Sequence, residues 1–183
     1  VLDIVLAQSK YDFRKIYTEK MGYALGVIVE TDLSVLAASL SQTVGTFNTD
    51  PTDANFRRAV QYLDDARVPF PDRHWLFKPA VKNVILGMDK FVRYDAMGSA
   101  APIKAGNVPG EIYGAMTHIS PETYKTGTST SNMLFHRDTF GLAMQKGVKI
   151  ENFARVGWLD HFGGSELYGL SEIRDDHGCE IRS

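Results

Sequence analysis

DANFRRAVQYLDDARVPFPDRHWLFKPAVKNVILGMDKFV, residues 53–92, contains the pattern of a helix, a short strand and a second helix in direct succession. Apolar residues recur at three- and four-residue steps and predict a helix over 54–67. The residues on that apolar face are Phe56, Ala59, Val60 and Leu63. His74–Phe77 is typical of a short buried strand, and Pro79 stands where proline is tolerated, in the first turn of a helix predicted over 80–88. Strand, proline and helix in this order predict an α/β module.

The segment before this stretch predicts one long helix over Ser9–Gln42. Ser9 is suited to cap it, and Asp12 lies three residues on, in the place of a capping-box acid. The apolar positions are Phe13, Ile16, Tyr17, Met21, Ala24, Ile28, Val35 and Leu36. A helix of this length exceeds what a small globule needs and predicts a strut. Residues 43–51 interrupt the pattern with loop-forming residues and mark a domain boundary.

The segments after this stretch are predicted from local pattern alone. They are a loop of small residues at 95–109, a strand at 110–120 with a glycine-permitted bend, a polar loop at 121–132, a strand at 133–135, a helix at 137–145 and a β-hairpin at 167–182. Together with the long helix, these segments predict a mixed helix-and-strand protein.

The composition is that of an ordered globular protein. The chain has 183 residues, 44% of them hydrophobic, a net charge of −2 and a pI near 6.2. Bulk charge therefore does not indicate a nucleic-acid binder, and no long run of like charges occurs. A single cysteine cannot form an internal disulfide, so a reducing compartment is the simpler assumption. No uninterrupted apolar stretch is long enough to predict a membrane span.

The first residues have neither a basic flank nor a small-residue cleavage site, so they do not predict a signal peptide. The chain also lacks an initiator Met. We therefore expect either a processed product or part of a longer one.

His136, Arg137 and Asp138 spell the tripeptide that opens the catalytic loop of protein kinases. A kinase needs Asn five residues after that Asp, where this chain has Ala143. No glycine-rich loop precedes the tripeptide, so it predicts only the start of a helix, with Asp138 near its positive end. No Walker loop, HExxH, GxSxG or CxxC motif occurs.

The remaining residues that carry chemistry do not form a recognisable site. The five histidines are scattered in the sequence, and His161 beside Asp160 is more typical of a surface or core histidine than of a ligand. Cys179 is expected to be a structural thiol, because the neighbouring Glu180 disfavours the thiolate. We therefore predict no catalytic, cofactor-binding or metal-binding residue and no enzyme. An α/β enzyme with a dispersed site remains an alternative.

The order of these parts resembles the major capsid protein of tailed bacteriophages, which has the Hong Kong 97 fold. Residues 11–40 resemble the spine helix of its peripheral (P) domain. Residues 53–92 are the most specific match, similar to the run of helix, Val-Pro, Arg, strand, Pro and helix that begins the axial (A) domain. Weaker similarities to a Gly-x-x-Gly strand pair, a strand with a helix, and a strand return to the peripheral domain lie at 107–120, 133–151 and 166–183.

The resemblance implies an α+β fold with a defined domain order. The expected parts are a peripheral part with the spine helix at 1–50, an axial domain at 51–164, and a C-terminal hairpin at 165–183 that returns to the peripheral domain. Family members carry an N-terminal arm and an extended loop before the spine helix, whereas here the predicted helix begins within about ten residues of Val1, so we expect either a fragment of the subunit or its ordered part alone. The cross-link that some members form through a lysine of the extended loop is therefore not predicted from the residues given.

The function that the resemblance implies is structural. It implies hexamers and pentamers of one chain in an icosahedral head around double-stranded DNA, contacted without sequence specificity. Scaffolding, portal and decoration proteins are the further partners implied, and the place is the virion, after assembly in the host cytoplasm. No cofactor and no membrane are expected. The alternative is the shell of an encapsulin, which has the same fold and holds protein cargo.

Nine residues are predicted to contact neighbouring subunits. They are Arg57, Arg58, Asp64, Asp65, Tyr94, Ala100, Ala101, Trp158 and Phe162. The small residues suit crowding near a symmetry axis, and the charges suit pairing inside a capsomer. Exposed charges are more often simply solvated, and aromatic residues also serve in cores, as for Tyr168.

Overall fold

The computed structural model describes residues 8, 10–92, 106, 108–127, 129–156 and 159–183. The helices are α1 (Phe13–Val35), α2 (Asp53–Asp65), α3 (Pro79–Leu86) and α4 (Asp89–Val92), and 3-10 turns lie at Leu36–Ser39 and Asp175–His177. The strands are β1 (Thr43–Gly45), β2 (Arg73–Phe77), β3 (Glu111–Ile112), β4 (Ala115–Ile119), β5 (Lys125–Thr126), β6 (Ser129–His136), β7 (Phe140–Val156), β8 (Leu159–Glu172) and β9 (Gly178–Arg182).

The chain divides into two compact units, each built from two segments. Val1–Asp32 and Leu142–Leu170 form one, which contains most of α1 and most of the β7–β8 hairpin. Leu33–Gly141 and Ser171–Ser183 form the other. These units differ from the expected boundaries at residues 50 and 164, and the peripheral and axial domain division remains a prediction.

The larger unit is a mixed sheet in the order β1-β9-β6-β2-β4-β3, with β5 paired to β6. The β1–β9 and β2–β4 pairs are parallel, and the other pairs are antiparallel. Helix α2 packs on one face of this sheet because its apolar stripe is buried there. Phe56 of α2 lies 5.7 Å from Trp75 and 5.4 Å from Phe77, between ring centroids. The Trp75 indole is also satisfied, since its Nε1 donates to the carbonyl oxygen of Ile112 at 2.8 Å.

The prediction for residues 53–92 is confirmed. Helix α2 and strand β2 form where the pattern placed them, and Pro79 occupies the start of α3. The glycine-permitted bend at 110–120 is also confirmed, as a tight turn between β3 and β4. Tyr113 and Gly114 have φ of 51° and 75° in that turn, which is the left-handed conformation that two-residue hairpin turns require.

Helix α1 is shorter than predicted. It begins at Phe13, after Asp12, whose Oδ1 accepts from the backbone N–H of Lys15 at 3.2 Å. It ends at Val35 in a 3-10 turn instead of continuing to residue 42. Strand β1 then forms at the start of the predicted loop, because Gln42 and the residues after it pair with β9.

Three predictions in the C-terminal half are wrong. Residues 137–145 are not a helix, because Phe140 onward forms β7, which pairs with β8. Residues 167–182 are not a hairpin, since β8 pairs with β7 and β9 pairs with β6 and β1. The polar loop at 121–132 contains β5 and the start of β6, whose Ser131 and Asn132 pair with β9. In each case pairing with distant strands overrides the local pattern.

Candidate subunit interface

The predicted charged residues all lie on the exposed face of α2. Arg57 forms an ion pair with Asp53 of the same helix, at 3.1 Å between Nε and Oδ2. Arg58 donates to Gln61 at 3.2 Å and lies over the ring of Tyr62 at 4.8 Å. These contacts are internal to α2, so the arginines are satisfied without a neighbouring subunit. Their role in subunit contact remains a prediction.

Asp64 has a partner within its own unit that was not foreseen. Its Oδ1 accepts from Nη1 of Arg73 at 2.7 Å, and Arg73 is almost fully buried although its carboxylate partner is 56% exposed. The same guanidinium donates to the carbonyl oxygens of Val68 at 2.7 Å and Pro69 at 3.1 Å. Arg73 therefore closes the turn between α2 and β2. The sequence signal was an arginine at a core-facing strand position.

The other predicted contact residues divide into described and undescribed ones. Tyr94, Ala100, Ala101 and Trp158 lie outside the described residues. Asp65 is exposed on α2, 3.5 Å from Gln61. Phe162 is half-buried on β8. Tyr168, on the same strand, donates to Asp32 at 2.5 Å, and this hydrogen bond raises the pKa of Tyr168 to about 12. The hydroxyl of Tyr168 is therefore already hydrogen-bonded within its own unit.

Many of the exposed apolar side chains among the described residues lie on α1 and on the β7–β8 hairpin. The helix buries only Ser34, and Tyr23 and Ile28 are 77% and 49% exposed. Further apolar side chains near half exposure are Tyr17, Leu142, Met144, Val148 and Leu167. A helix that is apolar around much of its surface is normally covered in the functional state. We call these seven side chains the strut surface.

By length and composition alone, Phe13–Ser39 is apolar enough to cross a membrane, in contrast to the expectation from the sequence. Its longest run without a charge inside α1 is Met21–Val29, between Lys20 and Glu30. A membrane-spanning helix needs roughly 20 predominantly apolar residues.

The β6–β7 turn contains the tripeptide that resembles a kinase loop. His136 ends β6, and its Nδ1 accepts from the backbone N–H of Asp138 at 3.2 Å. Thr139 is buried, and its hydroxyl donates to the carbonyl oxygen of His177 at 2.9 Å. The expected helix start is therefore wrong: this is a turn between two strands.

Two polar clusters of the larger unit bring together residues distant in sequence. Asp53 accepts hydrogen bonds from Tyr113 and from Lys90. Partial burial raises the pKa of Asp53, but these bonds outweigh it and lower the pKa overall. The histidines are also less scattered than the sequence suggested, since His74 and His118 lie side by side on β2 and β4. Among the described residues no group of three or more potential metal ligands occurs.

No protein-family model matches the sequence, and no curated protein matches it. Comparison of structures gives a clear result. A chain of Mycobacterium phage Che8 superposes with a TM-score of 0.83 at 20% identity, over 99% of this chain and 67% of the phage chain. The capsid structure of cyanophage P-SCSP1u gives a TM-score of 0.75 at 16% identity, over 99% of this chain and 69% of that chain.

The chain has the Hong Kong 97-type capsid fold. The expected α+β class with a long helix is confirmed with it. The holo-SrpI encapsulin complex from Synechococcus elongatus PCC 7942 matches less closely, with a TM-score of 0.66 at 14% identity, over 99% of this chain and 70% of that chain. At these identities the likeness concerns the fold alone, which the phage structures share with the encapsulin complex.

Proposed function

We propose that the chain is the major structural subunit of a phage head, which self-assembles into hexamers and pentamers of an icosahedral shell around double-stranded DNA. The observation that carries the proposal is the superposition of almost the whole chain on a phage capsid structure. The role is structural, with no catalytic step. The location proposed is the virion, after assembly in the host cytoplasm, with scaffolding, portal and decoration proteins as further partners.

The strut surface supports self-assembly independently of the fold. The Leu, Ile and Met side chains of this surface are already about half covered, so completing the burial of each stabilises an interface by about 1 kcal/mol. A closed shell repeats each contact many times, so a few kcal/mol at each interface suffices. The near-neutral net charge suits a container, because packaged DNA brings its own counterions and needs only scattered basic contacts.

The test of the strut surface is assembly of Ile28→Lys. Lysine on the exposed part of α1 leaves the chain folded, because Ile28 is half exposed, but places a charge in the proposed contact. We expect the variant to remain as free subunits in sedimentation velocity, whereas Glu19→Lys, an exposed polar site on the same helix, assembles normally. Normal shells from Ile28→Lys would contradict the proposed use of this surface.

The loop of small residues at 95–109 provides a second test. By the resemblance it lies near the symmetry axis of each capsomer, where five or six copies crowd together. Ala100→Trp with Ala101→Trp is expected to block capsomer formation, and normal shells would refute that placement.

Reversal of Arg57 and Arg58 to Glu tests the charged face of α2. Unchanged assembly would show that these charges serve only their own helix.

An encapsulin shell is the second candidate, because the SrpI encapsulin complex has the same fold. The phage head is preferred because the phage chains superpose more closely. The contents of the particle separate the two: nuclease-protected DNA indicates a phage head, and protein cargo indicates an encapsulin.

A further inference from the structure

His74 and His118 form a close imidazole pair on the larger unit. Their strands are parallel neighbours, with Leu76 opposite His118 and His74 opposite Met116, so the two histidines lie diagonally across one face of the sheet. Nδ1 of His74 lies 3.2 Å from Nε2 of His118, and the ring centroids are 5.3 Å apart. The strand register therefore holds two imidazole nitrogens together.

This separation is that of two nitrogens bound to one metal ion. Zinc–nitrogen bonds are about 2.0–2.1 Å, so two ligands at a tetrahedral angle lie about 3.3 Å apart. The alternative is a single N–H···N hydrogen bond between two neutral rings, which fits the same distance. A bound metal ion would instead use the lone pair of each of the two nitrogens.

We propose that His74 Nδ1 and His118 Nε2 form a binding site for a divalent late first-row transition ion, of the class of Zn²⁺, Cu²⁺ or Ni²⁺. Imidazole suits these ions and suits hard cations such as Mg²⁺ poorly. His118 is exposed, so solvent molecules have access to the remaining coordination positions. The bound ion would link β2 to β4.

His74 is the more enclosed ring of the pair. Partial burial, followed by the neighbouring His118, lowers the pKa of His74. The charge of Asp72 raises the pKa of His74, and the neighbouring His136 lowers it. The ring of Phe135 lies 5.8 Å from that of His74, between centroids, and covers one side of the site.

Copper binding by the purified chain tests the proposal. Titration with CuCl₂, followed by calorimetry and electron paramagnetic resonance, is expected to show one ion per chain with two nitrogen ligands. His74→Gln and His118→Gln should each weaken binding at least about 10-fold, the smallest loss seen even for outer-shell changes. His161→Gln, an exposed histidine on β8, should change affinity less than about 2-fold, and MgCl₂ should not compete.

A measurement on the unaltered chain complements the variants. Addition of ZnCl₂ is expected to shift the imidazole ¹⁵N resonances of His74 and His118 and to raise Tm, with neither effect in the double glutamine variant. Equal binding by the unaltered chain and the double variant would overturn the proposal. So would unshifted His74 and His118 resonances at saturating Zn²⁺, which would leave only the hydrogen-bonded pair.

Discussion

Arg73 is the side chain whose removal should most clearly destabilise the larger unit. It is 3% exposed and has three hydrogen-bonding partners, Asp64, Val68 and Pro69. Arg73→Met keeps the aliphatic stem packed, as the arginine stem is, but removes every one of these hydrogen bonds. The change therefore isolates the polar contribution of the guanidinium.

The three hydrogen bonds of Arg73 contribute different amounts to the free energy of unfolding, because their acceptors differ in burial. The bond to the buried Val68 carbonyl is charge-assisted and contributes about 1.5–3 kcal/mol, and its loss leaves that oxygen without a donor. The exposed Pro69 carbonyl and the 56% exposed Asp64 carboxylate regain water, so each contributes roughly 0–1 kcal/mol. Arg73→Met should therefore lower the free energy of unfolding by about 1.5–5 kcal/mol. Asp64→Asn should lower it by no more than about 1 kcal/mol.

Urea unfolding followed by tryptophan fluorescence measures these differences. Trp75 is buried beside the turn, and a Trp158→Phe background makes it the single reporter. Arg73→Lys is the matched control, because it keeps the charge but not the forked geometry, and its loss should be intermediate. A loss below about 1 kcal/mol for Arg73→Met, or a larger loss for Asp64→Asn than for Arg73→Met, would refute the reasoning.

Three further predictions follow from single residues. Burial, with help from Glu180, raises the pKa of Cys179 to about 12, so at pH 8 the native thiol should react with a disulfide reagent roughly 100-fold or more slowly than in urea. Gly45→Ala should lower the free energy of unfolding by about 1–3 kcal/mol, because φ is 86° there and a Cβ would lie 2.6 Å from the Arg182 carbonyl oxygen; an unchanged urea midpoint would contradict this. Hydrogen bonds from the Ser41 side chain and from the Ser41 backbone N–H lower the pKa of the Asp175 carboxyl, so the contribution of Asp175 to stability is full above about pH 4 and is lost as pH falls further. The difference in free energy of unfolding between the unaltered chain and Asp175→Asn should therefore shrink toward zero as pH falls to about 2. A difference that stays constant with pH would contradict this role of Asp175.

The predictable part of the fold is the part with local signals. Residues 53–92 combine an apolar helix stripe, a strand with alternating burial and a proline at a helix start, so their elements follow from neighbouring residues. The turn at Tyr113 and Gly114 is equally local. The resemblance of 53–92 to a capsid subunit rests on the same segments, and it identified the fold correctly.

The unpredicted part depends on contacts between distant residues. Strand β7 has helix-compatible composition, and only its pairing with β8 makes it extended. In β9, Glu180 is buried because Ser131 of β6 and Arg182 bond its carboxylate, which no local pattern shows. The imidazole pair was invisible for the same reason, since the register of β2 against β4 alone brings the two rings together.

The central claim is that this chain builds a shell, and electron microscopy of the native, full-length product from its source tests it most directly. The account predicts uniform icosahedral particles that contain dense, nuclease-protected DNA. Particles filled with protein would transfer the assignment to an encapsulin. A monodisperse monomer that forms no particles under any assembly condition would contradict the claim.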